Sequence, residues 1–203
     1  NGCNNFCSYC IVPYVRGRFV SRPPEDILEE MRTLAADGVL EITLLGQNVN
    51  SYGSDFSDGY TFANLLRDGA LKTGVRLLRF ATSHPRDFTP DIVETMAEHS
   101  PVICPSINLP IQSGSDRILS LMNRGYSVER YRETVSLIRS RLPGVGLTTD
   151  LIVGHPGETE EDYRQSLKVL EEFRFDLVHS AAYSPREGTA AARREDQVPR
   201  EEK

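Results

Sequence analysis

Short apolar runs alternate with longer amphipathic stretches along most of the chain, between residues 23 and 183. The apolar runs predict β-strands over residues 41–45, 76–82, 102–109, 145–153 and 177–183. The stretches around them have apolar residues at helical spacing and predict helices over residues 23–36, 61–72, 90–99, 115–122, 127–142 and 158–173. A helix between two strands returns the chain to the same edge of a sheet, so the strands are expected to be parallel. We predict an α/β fold, an open or partial (β/α) barrel.

The loops after these strands are the first place to look for a functional site, because chemistry in such folds collects at the carboxyl ends of the strands. The loops are polar or contain Gly and Pro, and they cover residues 46–48, 83–85, 110–115, 154–158 and 184–189. Candidate binding residues are therefore sought there.

The composition is that of a folded domain with one core: 203 residues, 39% hydrophobic and 26% charged. No run approaches the ~18 apolar residues of a membrane helix. No basic-then-apolar leader opens the chain, so the sequence predicts a cytoplasmic protein without a membrane contact. The net charge of −6 argues against this segment alone binding a nucleic acid through its phosphates. RNA contact would need a local basic patch or another domain.

Three of the four cysteines, Cys3, Cys7 and Cys10, lie within eight residues, and Cys104 stands alone on a predicted strand. Disulfides inside so tight a cluster would constrain almost nothing, and a chain of this length already supplies a core. A metal or redox site is favoured for the three, and a small core residue for Cys104.

Two kinds of metal site remain open from these residues alone. Three thiolates suit an iron–sulfur cluster with one iron left open to an external ligand. A zinc ion is the alternative, and it would need a fourth ligand such as His84 or His155 from a barrel loop.

The cysteine spacing Cys-x3-Cys-x2-Cys, with Tyr9 before the last cysteine, resembles that of radical S-adenosylmethionine (SAM) enzymes. The resemblance is to the methylthiotransferases among them, and it is carried by residues 2–18, 21–23, 45–53, 82–85, 109–115, 121–126, 150–159 and 183–189. It implies a partial (β/α)6 TIM-like barrel over residues 1–189, with its first strand missing ahead of Gly2. Residues 190–203 are then a polar linker toward a C-terminal RNA-binding domain that is absent here.

The same resemblance implies the cofactors. Cys3, Cys7 and Cys10 are expected to bind one 4Fe–4S cluster, whose open iron takes the amino and carboxylate groups of SAM. Electrons from flavodoxin or ferredoxin would then generate a 5′-deoxyadenosyl radical, which abstracts hydrogen from carbon 2 of an adenine before sulfur insertion and methylation. Family members also carry an auxiliary 4Fe–4S cluster, whose ligands this chain lacks.

The barrel loops are expected to contact SAM, and no side chain is assigned as an acid, base or nucleophile. The expected SAM-binding residues are Tyr9, Gln47, Asn48, Ser83, Gln112, Ser113, Asp150 and Gly154. Structural alternatives are core anchoring for Tyr9, loop or helix capping for the amides and Ser113, and a tight turn for Gly154. Asp150 lies in an apolar strand, and a buried carboxylate needs a partner, so it is expected to point into the barrel.

A basic patch beside the cysteines consists of Arg16, Arg18 and Arg22. It is expected to contact the phosphates of a tRNA anticodon loop, with a solvated surface patch as the alternative.

Residues 3–7 and 46–53 most resemble methylthiotransferases that act on isopentenyl-adenosine beside the tRNA anticodon. Enzymes acting on threonylcarbamoyl-adenosine or on a ribosomal-protein aspartate are alternatives, as are a different radical SAM enzyme and a non-catalytic metal-binding module. His155 departs from the family pattern, which usually has Phe there.

Overall fold

The computed structural model describes all 203 residues. The strands are β1 (Glu41–Leu45), β2 (Leu77–Ala81), β3 (Ser106–Asn108), β4 (Gly146–Val153) and β5 (Leu177–Ala182). The α-helices are α1 (Val12–Arg16), α2 (Pro24–Ala36), α3 (Phe62–Lys72), α4 (Pro90–Glu98), α5 (Asp116–Leu121), α6 (Val128–Arg141) and α7 (Glu160–Phe173). None of the helices combines the length and the apolar character needed to cross a bilayer.

All strand pairs are parallel, as the sequence predicts. β1 pairs with β2, and β3, β4 and β5 pair in that order. A parallel bridge between Leu78 and Ile103 joins the two groups, so the strands follow one another in chain order around an arc. The predicted partial barrel is confirmed. β3 is shorter than the predicted range 102–109. The residues just before it pair with β2 only through the bridge at Ile103, so they do not form a continuous strand.

The two faces of the sheet differ in polarity. Leu78, Ile107 and Leu151 are almost completely buried in the core against the helices, and each such side chain contributes roughly 1.5–3 kcal/mol. The opposite face carries alternate residues such as Thr148 and Asp150, both half-buried. The interior of the partial barrel is therefore polar and accessible to a ligand.

Short polar side chains determine where several helices begin. Thr159 accepts from the Asp162 backbone N–H in a capping box, so α7 begins at Glu160, two residues after its predicted start. Asp162 also accepts from Ser115, the residue that caps α5, at 2.6 Å. A Cβ at Gly114 would lie 2.6 Å from the Gln165 carbonyl oxygen of α7. Because glycine has no Cβ, α7 can pack directly on the loop after β3.

Residues 190–203, predicted as a polar linker, fold back onto the carboxyl edge of the barrel. Ala191 is fully buried and its N–H donates to the Ser8 carbonyl at 2.8 Å. The Gly157 N–H donates to the Asp196 carbonyl at 2.8 Å. The charged composition of this segment does not predict its packing, because the packing depends on one small apolar residue, Ala191, and on backbone hydrogen bonds.

Candidate functional site

The cysteine loop lies across the carboxyl edge of the sheet and is held there by hydrogen bonds from distant segments. The Ser8 N–H donates to the Met122 carbonyl at 2.9 Å, and the Ser8 carbonyl accepts from Ala191. The Asn123 side-chain amide donates to the Phe6 carbonyl at 3.0 Å. Backbone atoms therefore define the loop, and its thiols are free to bind a ligand.

Gly2 makes possible a second backbone contact at the start of this loop. Its φ is +73°, and a Cβ there would lie 2.0 Å from the Arg18 carbonyl oxygen. The next residue, Cys3, donates its N–H to the Gly17 carbonyl at 3.3 Å. Only glycine allows this approach of the loop to the segment that carries the basic patch.

The three clustered cysteines are all free thiols; Cys3 and Cys7 are buried and Cys10 is half-buried. Burial raises the pKa of Cys3 and of Cys10, so both thiols stay protonated unless a cation is bound. No three His, Cys, Asp or Glu side chains are close enough together to share one metal ion. Cysteines that hold an iron–sulfur cluster bind different irons, so they do not need to converge on one ion. Cys104 is half-buried rather than a core residue.

His155 is not available as the fourth ligand that the zinc alternative needs. It is fully buried, and its Nδ1 lies 3.0 Å from the Pro156 carbonyl oxygen. Its Nε2 lies 3.1 Å from the Ser8 hydroxyl. Burial lowers the pKa of His155 to about 4, so the ring is neutral. Nδ1–H therefore donates to the carbonyl, Nε2 accepts from Ser8, and neither nitrogen is left for a metal.

Four buried polar atoms without partners lie on the loops after β1 and β2. They are Gln47 Oε1, Asn48 Oδ1, Ser83 Oγ and His84 Nε2. Buried polar groups in folded proteins are normally hydrogen-bonded, so these two neighbouring loops offer polar atoms that are free to bind a polar ligand. Three of the four residues are among the predicted SAM contacts.

The same two loops are fastened to each other by side chains. Asn50 donates to the His84 carbonyl at 2.9 Å and accepts from the His84 N–H at 2.8 Å. Asn48 donates to Asp87 at 2.6 Å. Burial alone would raise the pKa of Asp87, but hydrogen bonds from Arg86 and Asn48 outweigh it and lower the pKa. These hydrogen bonds hold the two loops against each other.

The remaining predicted SAM contacts differ in how they are placed. The Tyr9 hydroxyl lies 3.3 Å from a guanidinium nitrogen of Arg124. Gln112 is half-buried with φ +70°, and no hydrogen bond fixes its side chain. Such strained backbone is found at ligand sites. Asp150 is half-buried on the polar inner face rather than buried, and its contact with SAM stays a prediction.

Ser113 and Gly154 have mainly structural surroundings. Ser113 is fully buried, and its hydroxyl accepts from the Ser115 N–H at 3.2 Å, which favours the capping alternative over contact with a cofactor. Gly154 is buried with φ +76°, and its N–H donates to the Glu158 carboxylate.

Only one of the three arginines in the basic patch forms an ion pair. Arg22 is paired with Glu30, whereas Arg16 and Arg18 are exposed and make no salt bridge. Beside them the exposed rings of Phe6 and Tyr14 meet edge to face, 6.0 Å apart. Sequence analysis gave neither ring a role, although both lie within residues 2–18, which carry the resemblance.

Arg124 is the functional candidate that sequence analysis missed most clearly. It lies in the turn between α5 and α6 and is only 4% exposed, with one nitrogen 3.3 Å from Cys7 Sγ. Its only signal was its position within residues 121–126, which carry part of the resemblance.

A profile of the Radical SAM superfamily matches residues 1–170. The chain belongs to this superfamily. It is 54% identical over 198 residues to the tRNA-2-methylthio-N(6)-dimethylallyladenosine synthase of Moorella thermoacetica, covering 98% of this chain and 44% of that protein. The synthase of the same name from Acetivibrio thermocellus is 54% identical over 202 residues, covering 100% of this chain and 42% of that protein. The chain thus spans less than half the length of these relatives.

Solved structures agree on the fold. The radical SAM methyltransferase TsrM from Kitasatospora setae, with cobalamin and a [4Fe-4S] cluster bound, has a TM-score of 0.77 and 23% identity over 95% of this chain and 37% of that one. Coproporphyrinogen III oxidase (HemN) from Escherichia coli has a TM-score of 0.60 and 18% identity over 98% and 47%. Superfamily membership confirms the predicted cofactors, a 4Fe–4S cluster and SAM, while the residues that hold them stay a prediction.

Proposed function

We propose that this chain is the radical core of a tRNA methylthiotransferase that acts on isopentenyl-adenosine (dimethylallyl-adenosine) beside the anticodon. The observation that carries the proposal is 54% identity across the entire chain to synthases named for that nucleoside, combined with three free cysteines on one anchored loop. The parent protein acts in the cytoplasm, and flavodoxin or ferredoxin supplies its electrons.

In this proposal Cys3, Cys7 and Cys10 hold the cluster, and the unpartnered polar atoms after β1 and β2 bind SAM. The bound cofactors supply a carbon-centred radical that can remove hydrogen from an unreactive carbon. The chain's own residues orient SAM and keep water away from it. Gln47, Asn48 and Ser83 suit this role because their buried oxygens lack hydrogen-bond partners.

The surface beside the cysteine loop is suited to an unstacked RNA loop. Phe6 and Tyr14 offer exposed aromatic faces for bases, while Arg16 and Arg18 are free to contact phosphates. An enzyme that modifies a base must take it out of its stack, and the polar barrel interior is where such a base would enter.

Mass spectrometry of tRNA nucleosides and of ribosomal proteins from a strain without the parent gene tests the substrate. We expect isopentenyl-adenosine to accumulate and its 2-methylthio derivative to disappear, with recovery on complementation by the unmodified gene. Loss of the methylthio group from threonylcarbamoyl-adenosine or from a ribosomal aspartate instead would refute the substrate assignment. A strain in which all three keep their methylthio groups would refute the activity.

A further inference from the structure

Arg124 is a buried cation that has no carboxylate partner. It is 4% exposed, so its guanidinium is almost completely removed from water. The groups that contact its guanidinium are Tyr126, Tyr9, Cys7 and the Pro110 carbonyl, and no Asp or Glu is among them. A buried guanidinium without an anion is energetically unfavourable, so this arrangement favours a compensating negative charge.

Every nitrogen of the Arg124 guanidinium has an acceptor. Nε lies 3.1 Å from the Tyr126 hydroxyl, and Nη2 lies 3.1 Å from the Pro110 carbonyl oxygen. Nη1 lies 3.3 Å from both Cys7 Sγ and the Tyr9 hydroxyl. A tyrosine hydroxyl and a backbone carbonyl are both neutral groups near neutral pH. The sulfur of Cys7 is the partner that can carry the missing negative charge.

The position of Arg124 is fixed by the fold. It follows α5 at the turn whose Met122 carbonyl already accepts from the cysteine loop at Ser8. The Tyr126 ring lies 5.4 Å below the guanidinium, and the Tyr126 hydroxyl is itself 2.8 Å from the Ile111 carbonyl oxygen. These contacts therefore place the guanidinium beside the Cys7 sulfur and away from solvent.

We propose that Arg124 is a positioning residue that donates to the Cys7 thiolate and raises the reduction potential of the cluster. The inference rests on the proposed cluster site. A fixed positive charge favours the reduced cluster, because reduction adds negative charge, and hydrogen bonds to cysteine sulfur act in the same direction.

Reduction potentials of the full-length protein test this inference. The protein is reconstituted anaerobically with iron and sulfide and titrated with dithionite, with EPR as the readout. The cluster with an open iron is identified by the change that added SAM makes in its spectrum. In Arg124→Met we expect the ratio of reduced to oxidised cluster at a fixed potential to fall at least tenfold, a shift of about 59 mV for one electron.

Two further variants separate charge from structure. Arg124→Lys keeps a positive charge, so its potential should lie nearer the unmodified protein's than that of Arg124→Met. Arg139→Met is the matched control, because Arg139 is exposed and donates only to the carbonyls of Phe173 and Arg174. Its potential should not change. If Arg124→Met fails to fold, Arg124→Gln, which keeps donors but no charge, should still have a lower potential than the unmodified protein.

The outcomes are distinct. Unchanged potentials in the Arg124 variants overturn the inference, including the case in which only SAM binding weakens, which would assign the guanidinium to SAM instead. Failure of the unmodified protein to bind iron on these cysteines refutes the proposed function, whatever the variants do.

Discussion

Burial keeps the imidazole ring of His155 neutral at the candidate site. The ring links the cysteine loop at Ser8 to the loop after β4 at Pro156, and this link needs a neutral imidazole with its proton on Nδ1. The resembling family usually has Phe at this position, which fills similar space without either hydrogen bond. The histidine therefore adds a pH-dependent contact to a loop junction.

His155→Phe tests that contact through protein stability. The pKa of His155 is about 4 in the folded chain and about 6.5 when unfolded. Below pH 6.5 the unfolded state therefore binds more protons, and the stability present above that pH is lost as pH falls toward 4. Between pH 7 and pH 4.5 the free energy of unfolding should fall by about 2 kcal/mol less in His155→Phe than in the unmodified protein. Urea unfolding of the reduced apo-protein measures it.

The exposed residue His179 supplies the control for this measurement. His179→Phe should keep the full pH dependence. Parallel pH profiles for His155→Phe and the unmodified protein would show that His155 is not held neutral by burial.

At the scale of elements, the cysteine loop is ordered by backbone hydrogen bonds rather than by its thiols. Ser8 bonds to Met122 and Ala191, and Cys10 donates its N–H to the Cys7 carbonyl at 2.9 Å. Removing a single sulfur should therefore leave the loop and the barrel folded. Iron binding can then be separated from folding.

Single replacements of Cys3, Cys7 or Cys10 by Ala should each abolish binding of about four irons in the anaerobically reconstituted full-length protein, relative to the unmodified protein. Cys104→Ala should retain them, because Cys104 lies beside β3, away from the loop. Iron content and thermal unfolding are measured together. Equal iron in Cys7→Ala and Cys104→Ala, or stoichiometric zinc with no iron, would contradict the assignment.

The elements could be predicted from the sequence because their signals are local. Apolar periodicity placed all five strands, and Ser or Thr caps set several helix starts. The contacts around the cysteines are not local: Arg124 lies 117 residues from Cys7. A lone arginine in a polar turn is typical of an exposed side chain, and only the fold shows that it is buried. The packing of residues 190–203 was hidden for the same reason.

At the scale of the whole molecule, charge argues against a general attraction to RNA. The net charge is −6. Many arginines form ion pairs with carboxylates, for example Arg130 with Glu133 and Arg164 with Glu160. Arg16 and Arg18 differ because both are exposed and make no salt bridge. RNA binding by this chain should therefore depend on where positive charge lies and not on how much there is.

The double variant Arg16→Gln, Arg18→Gln tests this local dependence against Arg130→Gln, Arg164→Gln, which changes the net charge by the same amount. The affinity of the full-length protein for a tRNA anticodon stem-loop is measured over a range of salt concentrations. If each free arginine neutralises one phosphate, the slope of log affinity against log salt should decrease by about 0.7 per arginine on a single-stranded loop. The control pair should leave the slope unchanged, because its charges are already neutralised by carboxylates. An equal loss of affinity in both double variants would mean that RNA senses the overall charge of the protein, and the basic patch would have no specific role.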